Sequence, residues 1–266
     1  MPIHPDPQDA TNAGHPGSAL LRAADDGTPL ARVRLEPAAA EVRPLAGASP
    51  ERVAAEARRD LAGLRLDTPD ERLATALAAG GLHVHRAATE LRHDLVDLPA
   101  PAPLPPGWSL APPGWDEDLR DALVAAYGPE HPDGAWRDDH TAQVRAMFDN
   151  SDPFSPLLPA SARALGPDGR SAAHVLSAGP GPWRDEPCGW VVNLGVAPRA
   201  QGRGLGRALL SHALHGTRTA GLPALGLSVA DGNPARRLYD AAGFRPVSRM
   251  FSVRLPSMVG PPEAPA

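Results

Sequence analysis

The sequence predicts an α/β protein whose sheet holds at least one parallel pair of strands. Three observations predict it. Apolar, strand-length runs stand at 189–196 and 225–230, and a helical stretch at 204–220 lies between them. A short helix at 234–242 and a last strand-forming run at 244–255 continue the alternation. Two strands joined through a helix run parallel, because a crossover long enough to hold a helix is what parallel pairing needs.

The elements can be justified in chain order. Residues 1–18 are polar and proline-bearing and read as a disordered tail, as do 257–266. The run 99–106, PAPAPLPP, reads as a stiff extended linker. It divides the chain into a first segment, 19–98, and a second, 107–256. In the first segment 28–35 reads as a strand and 50–63 as a helix. In the second, 108–110 reads as a short strand, and 116–127 and 135–148 as helices. Residues 159–165 and 171–178 read as a hairpin turning at Pro167-Asp168-Gly169. The apolar run at 189–196 reads as a buried strand. It stops at Ala197-Pro198, where proline cannot donate to a ladder. The helix at 234–242 has Asn233 as its N-cap, Pro234 at its first position and Gly243 just past its end.

Composition bounds what these elements can do. The 266 residues are 42% hydrophobic but only 4% aromatic, so the core must be built mostly of Leu, Val and Ala. The formal net charge of −5 argues against general nucleic-acid binding. The single cysteine, Cys188, excludes an intrachain disulfide framework. No apolar run is long enough to span a bilayer, and the start lacks the basic and apolar regions of a signal peptide. The chain therefore reads as a soluble cytoplasmic protein, monomer or homodimer, with no nucleic-acid or membrane partner. All 26 basic residues are arginine, so no lysine is available as a Schiff base.

The stretch 191–210, VVNLGVAPRAQGRGLGRALL, is the most informative in the chain. Gly202, Gly204 and Gly206 stand at the start of a helix, where each glycine inside the helix costs about 1 kcal/mol relative to alanine. Something other than stability must require them. The physical candidate is a phosphate-bearing ligand resting on the free N–H groups of a helix N-terminus, where the helix dipole favours an anion. Two common glycine loops do not fit. The GxxxxGK[ST] loop needs a lysine, and GxGxxG needs glycines at positions one, three and six. The spacing here is Gln201-x-x-Gly204-x-Gly206.

That spacing resembles the acetyl-CoA loop of the GNAT superfamily of N-acetyltransferases, Q/R-x-x-G-x-G/A. The flanks extend the likeness. CGWVVNLGVAP looks like the family's fourth strand, and LSVADGNPARRLYDAAGF looks like its fifth strand and following helix. The resemblance is strong over 189–246 and looser over 107–188. It implies a mixed, mostly antiparallel sheet with one splayed parallel strand pair flanked by helices. It implies acetyl-CoA as co-substrate and transfer of the acetyl group to a primary amine of a small molecule or peptide by direct attack. Binding of the coenzyme is expected from Leu194, Gly195, Val196, Gln201, Gly202, Arg203, Gly204, Leu205, Gly206, Arg207, Asn233 and Tyr239. The N–H of Val196 or a neighbour is the expected oxyanion donor, with Gly195 easing a bulge there. Tyr239 matches the family's general acid, which returns a proton to the leaving thiolate. The stripe Ala235, Leu238, Tyr239, Ala242 would equally suit a core tyrosine. Asp185, Glu186, Glu130 and His131 are candidate bases, each also readable as a solvated loop residue.

The ten histidines do not form a zinc-spaced cluster, so no metal is expected. His212 reads as partly buried beside the stripe Leu205, Leu209, Ala213, and His215 as lying towards solvent. Residues 68–95 echo 232–255 as a short helix, a glycine, an apolar residue and an Arg-bearing strand, with Leu77 where Tyr239 stands. The first segment thus reads as a degenerate partial GNAT-like domain, a smaller α/β unit without the glycine loop and without coenzyme binding. An unrelated helical cap fits the same residues. The rival function is a non-catalytic acyl-CoA-binding or partner-binding module, or use of another acyl-CoA donor.

Overall fold

The computed structural model describes residues 3–5, 18–36, 38–148, 157–181 and 187–257. Contacts divide the chain into two compact units. One comprises Met1–Ala88 with Ser248–Ala266, and the other Thr89–Val247.

The first unit is a sheet in the order β1 (Ile3–Pro5), β2 (Ser18–Arg22), β3 (Pro29–Glu36), β4 (Ala39–Pro44), β5 (Arg65–Thr68) and β12 (Arg245–Arg254). Strand β1 lies within the stretch expected to be a structureless tail and pairs with β2. Residues 1, 2 and 6–17 are outside the described residues. Helix α1 (Pro50–Asp60) carries the chain from β4 to β5, which run parallel, and α2 (Glu71–Ala79) follows β5. Strand β12 pairs antiparallel with β5 from Phe251↔Thr68 to Arg254↔Arg65 and has β6 (Val84–His93) as its other neighbour. The helices lay Val53, Ala57, Leu61, Leu73 and Leu77 on Leu21, Leu30, Val33, Val42, Leu66 and Val253. Burying each such Val or Leu side chain contributes about 1.5–3 kcal/mol before the entropy of ordering the chain is subtracted.

The second unit contains the motif. Its strands run in the order β11 (Leu225–Ala230), β10 (Cys188–Val196), β9 (Ser171–Gly181), β8 (Ala162–Leu165) and β7 (Ser109–Ala111). All neighbours are antiparallel except β10 and β11. Helix α5 (Leu205–Thr219) crosses between that parallel pair. It packs Leu205, Leu209, Leu210, Ala213 and Leu214 against Val175, Val191, Leu225, Leu227 and Val229. Helices α3 (Glu117–Ala126) and α4 (Asp138–Phe148) use the other face, where Leu119, Leu123 and Val144 meet Leu176. Val175 and Leu176 are adjacent on β9 and so point to opposite faces of the sheet. The sheet is thus mixed, mostly antiparallel and flanked by helices, as expected, with a second parallel pair in the first unit.

Three local expectations are corrected. The last helix, α6, begins at Arg236 rather than Pro234, and Ala235 is its N-cap. Asn233 Oδ1 accepts from the Ala235 N–H at 2.8 Å, so its side chain closes the turn ahead of the helix. His215 is not turned to solvent alone: its Nε2 meets the Pro99 carbonyl at 2.9 Å. With Ala102 N–H donating to Ser211 Oγ at 3.0 Å, the proline-rich run lies along α5. The third correction concerns Gly195 and belongs to the site.

Candidate active site

Strands β10 and β11 part almost as soon as they meet. Their register holds only at Gly189↔Leu225 and Trp190↔Gly226, although β10 continues to Val196 and β11 to Ala230. On its other edge β10 stays paired with β9 up to Val196↔Ala173. The Ala197 N–H donates to Ala172 O at 2.8 Å. Antiparallel ladders alternate bonded and non-bonded pairs, so Gly195 and His174 form the next bonded pair. Leu194 and Val196, between them, aim their backbone groups away from β9, towards the gap left by β11.

The bulge expected at Gly195 lies elsewhere. The β9–β10 register shifts between Cys188 and Trp190 and between Val191 and Asn193. Gly195 is required for a different reason. A β-carbon there would stand 2.7 Å from His174 Cε1 and 3.1 Å from Ala126 Cβ. His174 is fully buried, and its Nε2 meets Asn193 Oδ1 at 2.5 Å. Burial pushes this imidazole down to about 4, so it is neutral at neutral pH. Sequence reading missed His174 and Asn193, because neither belongs to a motif; each is a lone polar interruption of an apolar run, AAHVL and VVNLGV, and that was the available signal.

From Val196 the chain makes a short 3-10 turn, Pro198–Ala200, and enters the loop. The Gln201 amide donates back to the Val196 carbonyl at 3.1 Å, and the Arg199 guanidinium donates to Ser171 O at 3.0 Å. Gly202 and Gly204 have φ of 75° and 85°, left-handed values that L side chains adopt at a cost of roughly 1–2 kcal/mol. Nothing lies within 4 Å of a β-carbon built on either. Gly206 is helical, and a β-carbon on it would meet Leu238 Cδ2 at 3.4 Å and Val196 Cγ2 at 3.8 Å, ordinary contact distances. The side chains of Arg203 and Arg207 are exposed beside them.

The start of α5 differs from those of the other capped helices. Helices α1, α2 and α3 are capped by Ser49, Asp70 and Asp116, and each has an acidic residue in its first turn. Helix α5 has Gly204 at the N-cap, no side-chain cap and no acid in its first turn. Its first backbone bond is Ala208 N–H to Gly204 O. The N–H groups of Leu205, Gly206 and Arg207 therefore have no acceptor within the helix. A fixed row of donors at a positive dipole end, next to arginine, suits a diphosphate.

Tyr239 lies on α6 and packs in the core formed by α5, β10 and β11. Its ring meets Phe244 edge-on at 6.0 Å between centroids. Burial first, and then the Asp133 carboxylate, push the phenol well above its ordinary value of 10. Asn233, before α6, donates from Nδ2 to Asp133 Oδ2 at 2.7 Å. Among the earlier candidate bases, Glu130 is exposed and His131 half-buried against Tyr127. Asp185 and Glu186 lie outside the described residues. Among the described residues no group of three His, Cys, Asp or Glu could hold a metal ion, and no helix is long and apolar enough to cross a membrane.

A mixed sheet whose central parallel pair splays beside an uncapped, glycine-started helix defines a class of α/β domain that offers backbone amides to an anionic ligand. Residues 117–244, a little under half of the chain, match the Acetyltransferase (GNAT) family. A mycothiol acetyltransferase of Thermomonospora curvata is 36% identical over 179 residues, 64% of this chain and 56% of that protein. The chain spans a little over half the length of the first curated relatives it matches. Among solved structures, a GCN5-related N-acetyltransferase from Sphaerobacter thermophilus aligns over 94% of this chain and 85% of its own, with TM-score 0.63 and 17% identity. A tandem GNAT protein from the clavulanic acid biosynthesis pathway aligns over 90% and 82%, with TM-score 0.52 and 18% identity. At these identities the structures share the fold.

Proposed function

We infer that the protein is an N-acetyltransferase that moves the acetyl group of acetyl-CoA to a primary amine of a small molecule. The observation that carries this reading is the juxtaposition of the bare α5 N-terminus with the unpaired edge of β10. The amides of 203–207 receive the diphosphate. Hydrogen bonds to a charged group contribute about 1.5–3 kcal/mol each. Three or four of them, less the cost of association, suit micromolar affinity, about −8 kcal/mol. Leu194 and Val196 then offer backbone groups to the pantetheine arm, and Gln201 holds the loop to the strand end.

In the reaction the amine, neutral when it attacks, adds to the thioester carbonyl. The carbonyl oxygen gains charge and is held by the Val196 N–H. Collapse expels the coenzyme thiolate as the C–S bond breaks, and Tyr239 donates its hydrogen bond to that sulfur. The proton lost by the amine passes to solvent or to a base.

The relatives' name motivates a small-molecule acceptor over a peptide. The domain division 19–98, 99–106 and 107–256, with the first segment a degenerate repeat, is part of the same reading. Its support is the order strand, helix, parallel strand, helix in β4–α1–β5–α2. There, Ser49 caps α1, Pro50 lacks an N–H and Glu51 adds negative charge. A diphosphate would find no free donors and a repelling carboxylate at that helix.

Titration calorimetry with coenzyme A and a thiol-release screen of amines test the reading together. Heat of binding with amine-dependent release supports it. Binding without release by any amine supports the rival acyl-CoA-binding module. Absence of both overturns it.

A further inference from the structure

The carboxylate of Asp133, in the loop joining α3 and α4, reaches two positions nearly a hundred residues away. Oδ1 accepts from the Ala230 N–H at 3.2 Å, and Oδ2 from Asn233 Nδ2 at 2.7 Å. Ala230 is the last residue of β11, beyond the point where β10 has left it. Asn233 is fixed at both ends of its amide, with Oδ1 on the Ala235 N–H and Nδ2 on Asp133. That pair of contacts sets which way the amide faces. The next turn carries Tyr239, whose phenol feels the same carboxylate. The α3–α4 loop is itself held by Trp136 N–H to Tyr127 O at 3.1 Å and Trp136 Nε1 to Thr141 Oγ1 at 2.8 Å.

We propose that Asp133 is a positioning residue that pins the α3–α4 loop across the open end of the splayed strands and orients Asn233. Resting on the acetyl-transfer reading, this makes the loop one wall of the approach to the thioester, held at a fixed distance from Tyr239. A buried or half-buried carboxylate with two donors resists displacement, because either donor left unpaired costs its desolvation. An acceptor amine therefore meets a formed wall rather than one it must order. Loss of the tie weakens capture of the amine and leaves coenzyme binding, which rests on α5, in place.

Hydrogen exchange of the full chain, with and without coenzyme A, reads this directly. In Asp133→Ala, exchange should rise at least tenfold in segments covering 128–137 and 229–236, with 202–210 still protected by coenzyme A. Asp133→Asn keeps an oxygen for Ala230 but turns a second amide towards Asn233, so Ala230 should stay protected while 233–236 loosens. With the amine that gives the wild type its fastest thiol release, Asp133→Ala should raise KM for the amine about tenfold and change KM for acetyl-CoA less than twofold. Unchanged exchange in both segments, or equal rises in both KM values, overturns the proposal. If coenzyme A protects nothing in the wild type, the acetyl-transfer reading fails instead, and the exchange of 128–137 and 229–236 still decides the tie.

Discussion

The imidazole of His174 occupies the space that a side chain on Gly195 would need, with Cε1 2.7 Å from the position of a β-carbon there. The two residues face each other across the β9–β10 ladder. Gly195→Ala should therefore overpack the space between β10 and α3 and cost about 1–3 kcal/mol. Chemical denaturation would read this as a lowered midpoint with an unchanged m-value. A wild-type midpoint would mean that His174 can move aside.

His174 also ties stability to pH. Its native value, pushed down to about 4 by burial, lies below its ordinary 6.5. Between those values the unfolded chain binds a proton that the native chain does not, so stability falls as pH falls from 6.5 towards 4. The full loss is about 3 kcal/mol. In His174→Gln, whose amide can still face Asn193, that part of the acid limb should be absent. His93 and His212 are lowered by burial too, so the test is the difference between variant and wild type. Identical acid limbs would show that His174 titrates normally.

The glycines can be separated by what each one does for the backbone. Gly206 is helical and has room for a methyl group, so Gly206→Ala should stabilise the fold by up to about 1 kcal/mol. Gly204, at φ 85°, has room but the wrong backbone, so Gly204→Ala should destabilise by about 1–2 kcal/mol. If the amides there hold a diphosphate, both variants should weaken coenzyme A in calorimetry, the first despite its higher melting temperature. Tighter or equal binding in Gly206→Ala would remove the functional reason for that glycine.

How much of this was legible beforehand follows from what each feature depends on. The run 189–230 was readable because strand, proline stop, glycines and helix are local signals, and β11 stands at the predicted 225–230. Strands β2, β4 and β5 were not read. Each is short, and β4 and β5 alternate charged and apolar residues weakly. Their strand character comes from pairing with partners distant in the chain, and long-range pairing leaves little trace in a short window. Gly202 and Gly204 lie ahead of α5 at left-handed φ, a backbone demand that the cost of glycine in a helix does not express, and Gly195 does not sit at the expected bulge. Its actual constraint, the ring of His174, comes from another strand. Asp133 escaped notice because its partners, Ala230 and Asn233, are joined to it only by the fold.

Tyr239 gives the sharpest test of chemistry against packing. The residue is 7% exposed and lies in the apolar core, a placement that would suit a purely structural residue. Burial and the Asp133 charge raise the phenol above its ordinary 10, so the ring stays protonated throughout the working pH range. A raised value makes full proton transfer to a thiolate harder, yet leaves a hydrogen-bond donor always loaded. Tyr239→Phe should therefore lower kcat by about 10²–10⁴ and leave coenzyme A affinity within twofold. Melting should change little, because the ring that fills the core is kept. The alkaline limb of kcat should have the same shape in both proteins, since the phenol does not ionise there. Loss of an alkaline limb in the variant would mean that the phenol ionises near its ordinary value. An unchanged kcat would leave Tyr239 to packing alone.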